Sequence, residues 1–226
     1  MSASCTIVDV DTSHWDRLRE QMVEDQLRKR GILNLSILDA MGSVPRHVFV
    51  PETVRDLSYE DRALAIGHGQ TISQPYMTAI MLQVLALSGT EKVMEIGTGT
   101  GYQAALLARL AKQVETVELV PELASQARET LAALGISNVN VHIADGSRGL
   151  PGEAPFDAIA VAAGAPDVPP MLLEQLAPNG KLLIPIGDRK QQILTLFQKM
   201  DSQVVRKPLG GCAFVPLLGV HGWPGA

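Results

Sequence analysis

Ten residues, Lys92-Val93-Met94-Glu95-Ile96-Gly97-Thr98-Gly99-Thr100-Gly101, carry the most explicit chemistry in the chain. An apolar run (Val93, Met94, Ile96) leads directly into three alternating glycines, Gly97, Gly99 and Gly101. A helical pattern follows, with Ala104, Ala105, Leu106, Leu107, Ala108 and Leu110. Strand, glycine turn and helix open a nucleotide-binding βαβ unit. Glycine lets the backbone approach a ligand with no Cβ in the way, and the helix start beyond it offers unpaired N–H groups.

The spacing admits two cofactors. Gly99-x-Gly101-x-x-Ala104 fits the dinucleotide fingerprint, and Glu118 ends the next apolar run about 20 residues on, where that fingerprint places an acid for ribose hydroxyls. Glu95-x-Gly97-x-Gly99-x-Gly101 fits equally well the acidic glycine loop of S-adenosylmethionine (SAM) enzymes. There the turn holds the amino-acid end of SAM and Glu118 takes the ribose. A glycine turn without a ligand is the plain alternative, and the acid at the right offset weighs against it.

Composition narrows the field. A chain of 226 residues can bury a full core for one α/β domain with a modest extension. Hydrophobic residues make up 46% and charged residues 19%, with a net charge of −5 and no basic block, which argues against nucleic acid as a main partner. No apolar run reaches the about 18 residues of a membrane span, and Met1-Ser2-Ala3-Ser4-Cys5 lacks the basic start and apolar run of a signal peptide. Cys5 and Cys212 form no zinc or redox spacing, so two free thiols in a reducing cytoplasm are expected. His14, His47, His68, His142 and His221 form no ligand set, and no metal is expected.

The elements that must position the glycine loop can be read in order. Residues 1–12 are small, polar and aperiodic, and a loose N-terminus is expected. Ser13 reads as the N-cap of a helix of about 17 residues closed by Gly31, with Trp15, Leu18, Met22 and Leu27 inward. Asn34 reads as the cap of a second helix that stops before Pro45, and Phe49-Val50-Pro51 as extended. Residues 59–75 show no clear period. Pro75 to Leu87 reads as a helix, with Ser73 as its N-cap on spacing alone. After Glu118 come a helix from Pro121 to Gly135 and a strand at 138–143. Next is Asp145-Gly146, either a simple turn or a ligand group at a strand's C-terminal end. Strands at 155–161 and 180–187 flank a short helix at 169–176. Residues 193–197 and 204–208 follow without a helix between them, so the sheet should end in antiparallel strands. Residues 13–88 thus form a helical extension with the aperiodic loop, and 89–226 the cofactor-binding core, in one compact domain.

A dehydrogenase needs a second lobe for its substrate, and about 40 residues after the fifth strand are too few for one. Neither Tyr76 nor Tyr102 begins a Tyr-x-x-x-Lys pair. The reading is therefore a Rossmann-like SAM-dependent methyltransferase fold: a mostly parallel, doubly wound α/β sheet with antiparallel edge strands and a helical N-terminal extension.

From about Met22 to Gly219 the chain resembles the protein-L-isoaspartate O-methyltransferases. The resemblance rests on Gln26-Leu27-Arg28-Lys29-Arg30-Gly31-Ile32, Val44-Pro45-Arg46-His47-x-Phe49-Val50-Pro51 and Tyr59-Glu60-Asp61-Arg62-Ala63-Leu64. It is strongest in Gly69-Gln70-Thr71-Ile72-Ser73-Gln74-Pro75-Tyr76 and the glycine loop, and continues in Asp145-Gly146, Glu174-Gln175-Leu176 and Phe214-Val215-Pro216-Leu217. The Thr-Ile-Ser-Gln-Pro block is specific to that family among methyltransferases.

The resemblance implies SAM as cofactor, S-adenosyl-L-homocysteine as product, and isoaspartyl residues of damaged proteins as substrate, in a cytoplasmic, monomeric enzyme. It implies Ser73 as the active-site serine. It places Thr71, Ile72, Thr78, Glu95, Gly97, Thr98, Gly99, Gly101, Glu118, Leu119, Asp145 and Gly146 at the cofactor, and Ser73, Gln74, Phe214, Val215 and Pro216 at the substrate. Three departures stand out: Ala65 for a usual Pro, Ala162 for a usual Thr, and Cys212-Ala213 for a usual Val-Arg. The last removes a positive charge near the substrate-closing segment. Two other functions stay in view: a SAM methyltransferase acting on another carboxylate or a small molecule, and, kept open by Ala162 and Cys212-Ala213, a module that binds SAM and recognises damaged peptides without turnover.

Overall fold

The computed structural model describes residues 10–200 and 203–224. A seven-stranded sheet has the order β5-β4-β3-β6-β7-β8-β9. Its strands are β3 (Lys92–Ile96), β4 (Gln113–Glu118), β5 (Val139–Ile143), β6 (Phe156–Val161), β7 (Leu176–Gly187), β8 (Gln192–Met200) and β9 (Gln203–Cys212). The first five are mutually parallel, and β8 and β9 close the edge as an antiparallel meander. From β3 the chain turns one way to β4 and later returns on the other side to β6. That reversal is a switch point, and open α/β sheets bind ligands beside the strand ends there.

β3 and β6 are nearly continuous apolar runs because both of their faces are covered. Successive residues send side chains to opposite sides. Val93 joins a core with Ala158, Ala160 and Leu183, while Met94 and Ile96 join Ile159, Val161 and Leu182 on the other face. Helices α4 (Tyr102–Leu110) and α5 (Pro121–Ala133) pack on the first face, as does α3 (Pro75–Leu85) with the N-terminal extension. The short α6 (Pro170–Glu174) lies on the second.

The extension departs from expectation in three places. Helix α1 (Val10–Gln21) begins before Ser13, so Ser13 lies inside the helix and does not cap it. Its anchor is Trp15, stacked on His47 with ring centroids 4.7 Å apart. The expected loose N-terminus therefore does not include 10–12, and residues 1–9, with Cys5, lie outside the described residues. Residues Met22–Leu27 continue α1 as a π-turn that buries both Met22 and Leu27, five positions apart, before Gly31 ends the run at φ +91°. Of the expected extended piece Phe49-Val50-Pro51, Phe49 ends a 3-10 turn, Arg46–Phe49, whereas Val50 and Pro51 are extended and lead into a second turn, Glu52–Leu57. Asn34 caps α2 (Leu35–Ser43) as read, accepting from Ser36 N and Ile37 N.

The aperiodic stretch is a hairpin of β1 (Leu64–Gly67) and β2 (Gln70–Ile72). Its turn, Gly67-His68-Gly69, has three consecutive positive φ angles of +92°, +52° and +70°. Glycine accepts that region readily, and His68 is carried between two of them.

Candidate active site

A cleft of about 890 Å³, its open mouth included, sits at the β3/β6 switch point. Its floor is the glycine loop. Gly97 N donates to Val117 O (2.9 Å), and Gly99 N to the Glu118 carboxylate (2.8 Å). The same carboxylate accepts from Leu119 N (2.8 Å) and Val120 N (2.9 Å), so one buried acid ties the loop after β3 to the turn after β4. Gly97, Gly99 and Gly101 all have positive φ, which only glycine takes freely.

Beneath the loop, Glu95 is fully buried. Its Oε2 accepts from Thr116 Oγ1 (2.6 Å), which also meets Thr98 Oγ1 (2.6 Å). Burial pushes the Glu95 carboxyl up to about 8, with the nearby Glu118 charge adding to the effect. Three buried polar atoms around this loop lie beyond hydrogen-bond distance of any partner among the described residues: Glu95 Oε1, Thr100 Oγ1 and Gln103 Nε2, although the Gln103 amide is near enough to the Glu95 carboxylate to favour its charge. Two acceptors and a donor match an amino-acid terminus, whose ammonium gives hydrogen bonds and whose carboxylate takes them. Glu118 is the only charged side chain lining the cleft among the described residues. A lining without Lys or Arg suits a sulfonium better than a pyrophosphate. The residues present therefore fit SAM.

Thr71, Ile72, Ser73 and Thr78 form a second wall. Ser73 does not cap α3. The cap position is Gln74, whose side chain makes no capping bond, and the Ser73 side chain is left to line the cleft. The Ser73 carbonyl accepts from the buried Arg46 Nη2 at 2.7 Å. The third wall is a strap, Val215 to Leu218, paired to the loop after β6 through Gly164 N→Val215 O and Leu217 N→Gly164 O, both 2.8 Å.

Of the residues expected at the site, Thr71, Ile72, Ser73, Thr78, Gly97, Thr98, Gly99, Glu118, Leu119, Gly146, Val215 and Pro216 line the cleft. Five stand behind it. Glu95 lies under the loop, and Gly101 is the left-handed residue that starts α4. Gln74 turns its amide to Asp61 O (3.0 Å), and the Phe214 amide donates to Gln192 Oε1 (2.8 Å). The Asp145 carboxylate accepts from Ser147 N (2.9 Å) and Oγ (2.6 Å) and from Val220 N (2.9 Å). Partial burial works against its charge, yet those bonds outweigh it and hold the carboxyl below its usual range. Asp145 is thus both the turn residue and the tether of the strap. Gly146 is required by close approach, since a Cβ there would lie 2.5 Å from Ile96 Cγ2.

Sequence reasoning missed Ile66, Gln70, Tyr102, Gln103, Ala163 and Leu218 in the lining. Tyr102 and Gln103 sit on the first turn of α4, so a helix that follows a ligand loop was the available signal. Ala162 lines the wall opposite Gly97, with Cβ 3.5 Å from where a Gly97 Cβ would stand. Ala65 is on the hairpin, and Ala213 is exposed where β9 enters the strap. Burial pushes the Cys212 thiol up to about 11, which makes it unreactive. Among the described residues no helix is long and apolar enough to cross a membrane, and no group of three His, Cys, Asp or Glu side chains could hold a metal.

The comparisons agree with this geometry. The family model described as "Protein-L-isoaspartate(D-aspartate) O-methyltransferase (PCMT)" matches residues 17–222. A protein-L-isoaspartate O-methyltransferase of Geobacter metallireducens is 52% identical over 93% of this chain and 98% of its own. Another, of Methanoculleus marisnigri, is 50% identical over 92% and 95%. A solved protein-L-isoaspartate O-methyltransferase superposes with a TM-score of 0.83 at 31% identity, covering 90% of this chain and 67% of that one. A beta-aspartate methyltransferase structure from Plasmodium falciparum, in complex with S-adenosyl-L-homocysteine, gives 0.77 at 28% identity over 88% and 98%. Glycine loop, Ser73 wall and strap thus lie within one matched span, and the chain belongs to the protein-L-isoaspartate(D-aspartate) O-methyltransferase family.

Proposed function

We propose that this chain methylates the free α-carboxylate of L-isoaspartyl residues in damaged proteins and peptides, with SAM as donor, and so starts their repair through a succinimide. The observation that carries the reading is the cleft itself, in which a cofactor floor built for an amino-acid terminus faces Ser73. When bound, SAM supplies a methyl group on a positively charged sulfur, which leaves as a neutral thioether as the new O–C bond forms.

The protein's task is placement. An isoaspartyl α-carboxyl, with a pKa near about 3.5 by analogy with a chain terminus, is already ionised at neutral pH, so no general base is required. What remains is alignment in a site screened from water, where orientation can contribute about 7–11 kcal/mol. We infer that the Ser73 hydroxyl donates to the acceptor carboxylate without taking a proton from it. The first N–H groups of α3, which begins two residues later, favour the same negative charge. Val215 and Pro216 close the site over the peptide. In the resulting methyl ester the amide nitrogen of the isoaspartyl linkage attacks the ester carbonyl, the C–OCH3 bond breaks, methanol leaves with that nitrogen's proton, and the succinimide forms without further catalysis.

The test is transfer from labelled SAM to one peptide made in isoaspartyl and aspartyl forms. Transfer to the isoaspartyl form alone is expected, and transfer to neither, with SAM still bound, would overturn the assignment. Ser73→Ala should lower kcat/KM on the isoaspartyl peptide about 10- to 100-fold, the range of one hydrogen bond to a charged group. Affinity for S-adenosyl-L-homocysteine should stand. Full turnover would remove Ser73 from the mechanism.

A further inference from the structure

Arg46 is an unusual residue to find where it is. Its side chain is fully buried, and no ion pair to a carboxylate is formed among the described residues. Nε donates to Ser58 O and Nη2 to Ser73 O, each at 2.7 Å, while Nη1 has no partner among the described residues. The guanidinium carbon lies 4.8 Å from the centre of the Tyr102 ring, which lines the cleft. Burial lowers its pKa, yet arginine stays charged in proteins. The Asp61 charge acts on it from a distance but is itself paired with Arg30, and burying an ion without a directly paired counter-ion is costly. A fold that needed only to bridge two carbonyls could use a neutral donor.

The cost becomes intelligible once the cleft receives an anion. We propose that Arg46 is a positioning residue for methyl transfer: it clamps the Ser73 carbonyl from behind the wall, and its charge, which no carboxylate pairs directly, favours a carboxylate acceptor in front of it. The assignment rests on Ser73 facing that acceptor. A guanidinium donating to a carbonyl polarises the peptide group beyond it, so the Ser73–Gln74 amide becomes a stronger donor as well.

The experiment compares Arg46→Gln and Arg46→Lys with the wild type in three readouts. These are KM for the isoaspartyl peptide, KM for SAM, and the ratio of the inhibition constant of the same peptide as its α-carboxamide to the KM of the carboxylate. Arg46→Gln should raise peptide KM about tenfold and lower the discrimination ratio by a similar factor, with KM for SAM within about twofold. Arg46→Lys keeps the charge and should restore the ratio while kcat stays reduced, because ammonium lacks the planar fork that holds two carbonyls. A wild-type ratio in a folded Arg46→Gln enzyme overturns the proposal, however much stability is lost.

Should Arg46→Gln not fold, the wild type answers. The Arg46 Nε–H resonance of ¹⁵N-labelled enzyme should shift when the isoaspartyl peptide joins the S-adenosyl-L-homocysteine complex, and not with the carboxamide. Equal shifts with both, or none, overturn it. Full turnover in Ser73→Ala would remove the reading on which the assignment rests. An impaired Ser73→Ala beside an unchanged ratio in Arg46→Gln would remove Arg46 alone.

Discussion

The two walls of the cleft are held in place by different means. On the cofactor side the donors are main-chain N–H groups, held by a carbonyl and a carboxylate at the end of the neighbouring strand. Gly97 and Thr98 bond to Val117 O, and Gly99, Leu119 and Val120 share one carboxylate at the end of the neighbouring strand. On the acceptor side the holding groups are long side chains sent from elsewhere. Arg46 reaches Ser58 O and Ser73 O, Gln26 reaches Tyr59 O at 2.7 Å, Gln74 reaches Asp61 O, and Arg30 pairs with Asp61. The first wall belongs to the βαβ unit and needs nothing outside it. The second is an addition, and the N-terminal extension exists largely to hold it.

That contrast can be broken most directly at Glu118. Glu118→Gln replaces one acceptor oxygen with a donor, so in either orientation an amide is set against another N–H. SAM affinity should fall about 100-fold, from one or more lost bonds to a charged group, with peptide discrimination unchanged at saturating SAM. Calorimetric titration with S-adenosyl-L-homocysteine measures it. A loss below threefold would show that the glycine loop keeps its shape without the carboxylate.

A smaller effect should appear at Glu95. Its folded carboxyl titrates near about 8 and its unfolded one near 4.5, so the native state holds the extra proton between those values. Stability of the cofactor-free protein should then fall as pH rises through that window, by at most about 1.4 kcal/mol per pH unit, and level off above it. Glu95→Gln mimics the protonated form and should flatten the slope. Melting temperatures at pH 5, 6, 7 and 8 decide the matter, and identical slopes would mean that Glu95 is ionised in place.

The smallest effect probes the acceptor wall. Gln74→Ala removes the bond to Asp61 O at a cost of about 1 kcal/mol. Peptide KM should rise a few-fold while S-adenosyl-L-homocysteine affinity stays. Equal losses in both would mean that the walls are not independently held.

The same contrast explains how much could be read beforehand. β3, its three glycines, α4 and Glu118 at the end of β4 follow from local rules: an apolar run, positive φ and a fixed offset. The antiparallel edge was legible because residues 193–208 leave no room for a crossover helix. The β1–β2 hairpin was not legible, since three left-handed residues at its tip break any period, and only the family block marked the stretch as important. Arg46 was hidden in the opposite way. Arginine in a Pro-Arg-His context reads as exposed, and nothing local announces that its partners lie 12 and 27 residues further on. Asp145 was placed at the right strand end, but its carboxylate serves Ser147 and Val220, a choice made by a strap some 75 residues away. Ser13 misled because a good capping residue marks a helix start only where nothing stronger intervenes, and Trp15 stacked on His47 intervenes.

The strap also has a bearing on how the protein is made. It follows β9, after every strand of the sheet, and it lies against a floor whose first strand is β3. A nascent chain can therefore complete the glycine loop long before it can close the cleft, and tight cofactor capture must wait until the strap has left the ribosome. From that moment a ligand that binds only the native form stabilises by mass action. A cofactor bound in the cleft that both line would join the Thr71–Ser73 wall to the Val215–Leu218 strap, so early and late segments of the chain should unfold as one cooperative unit.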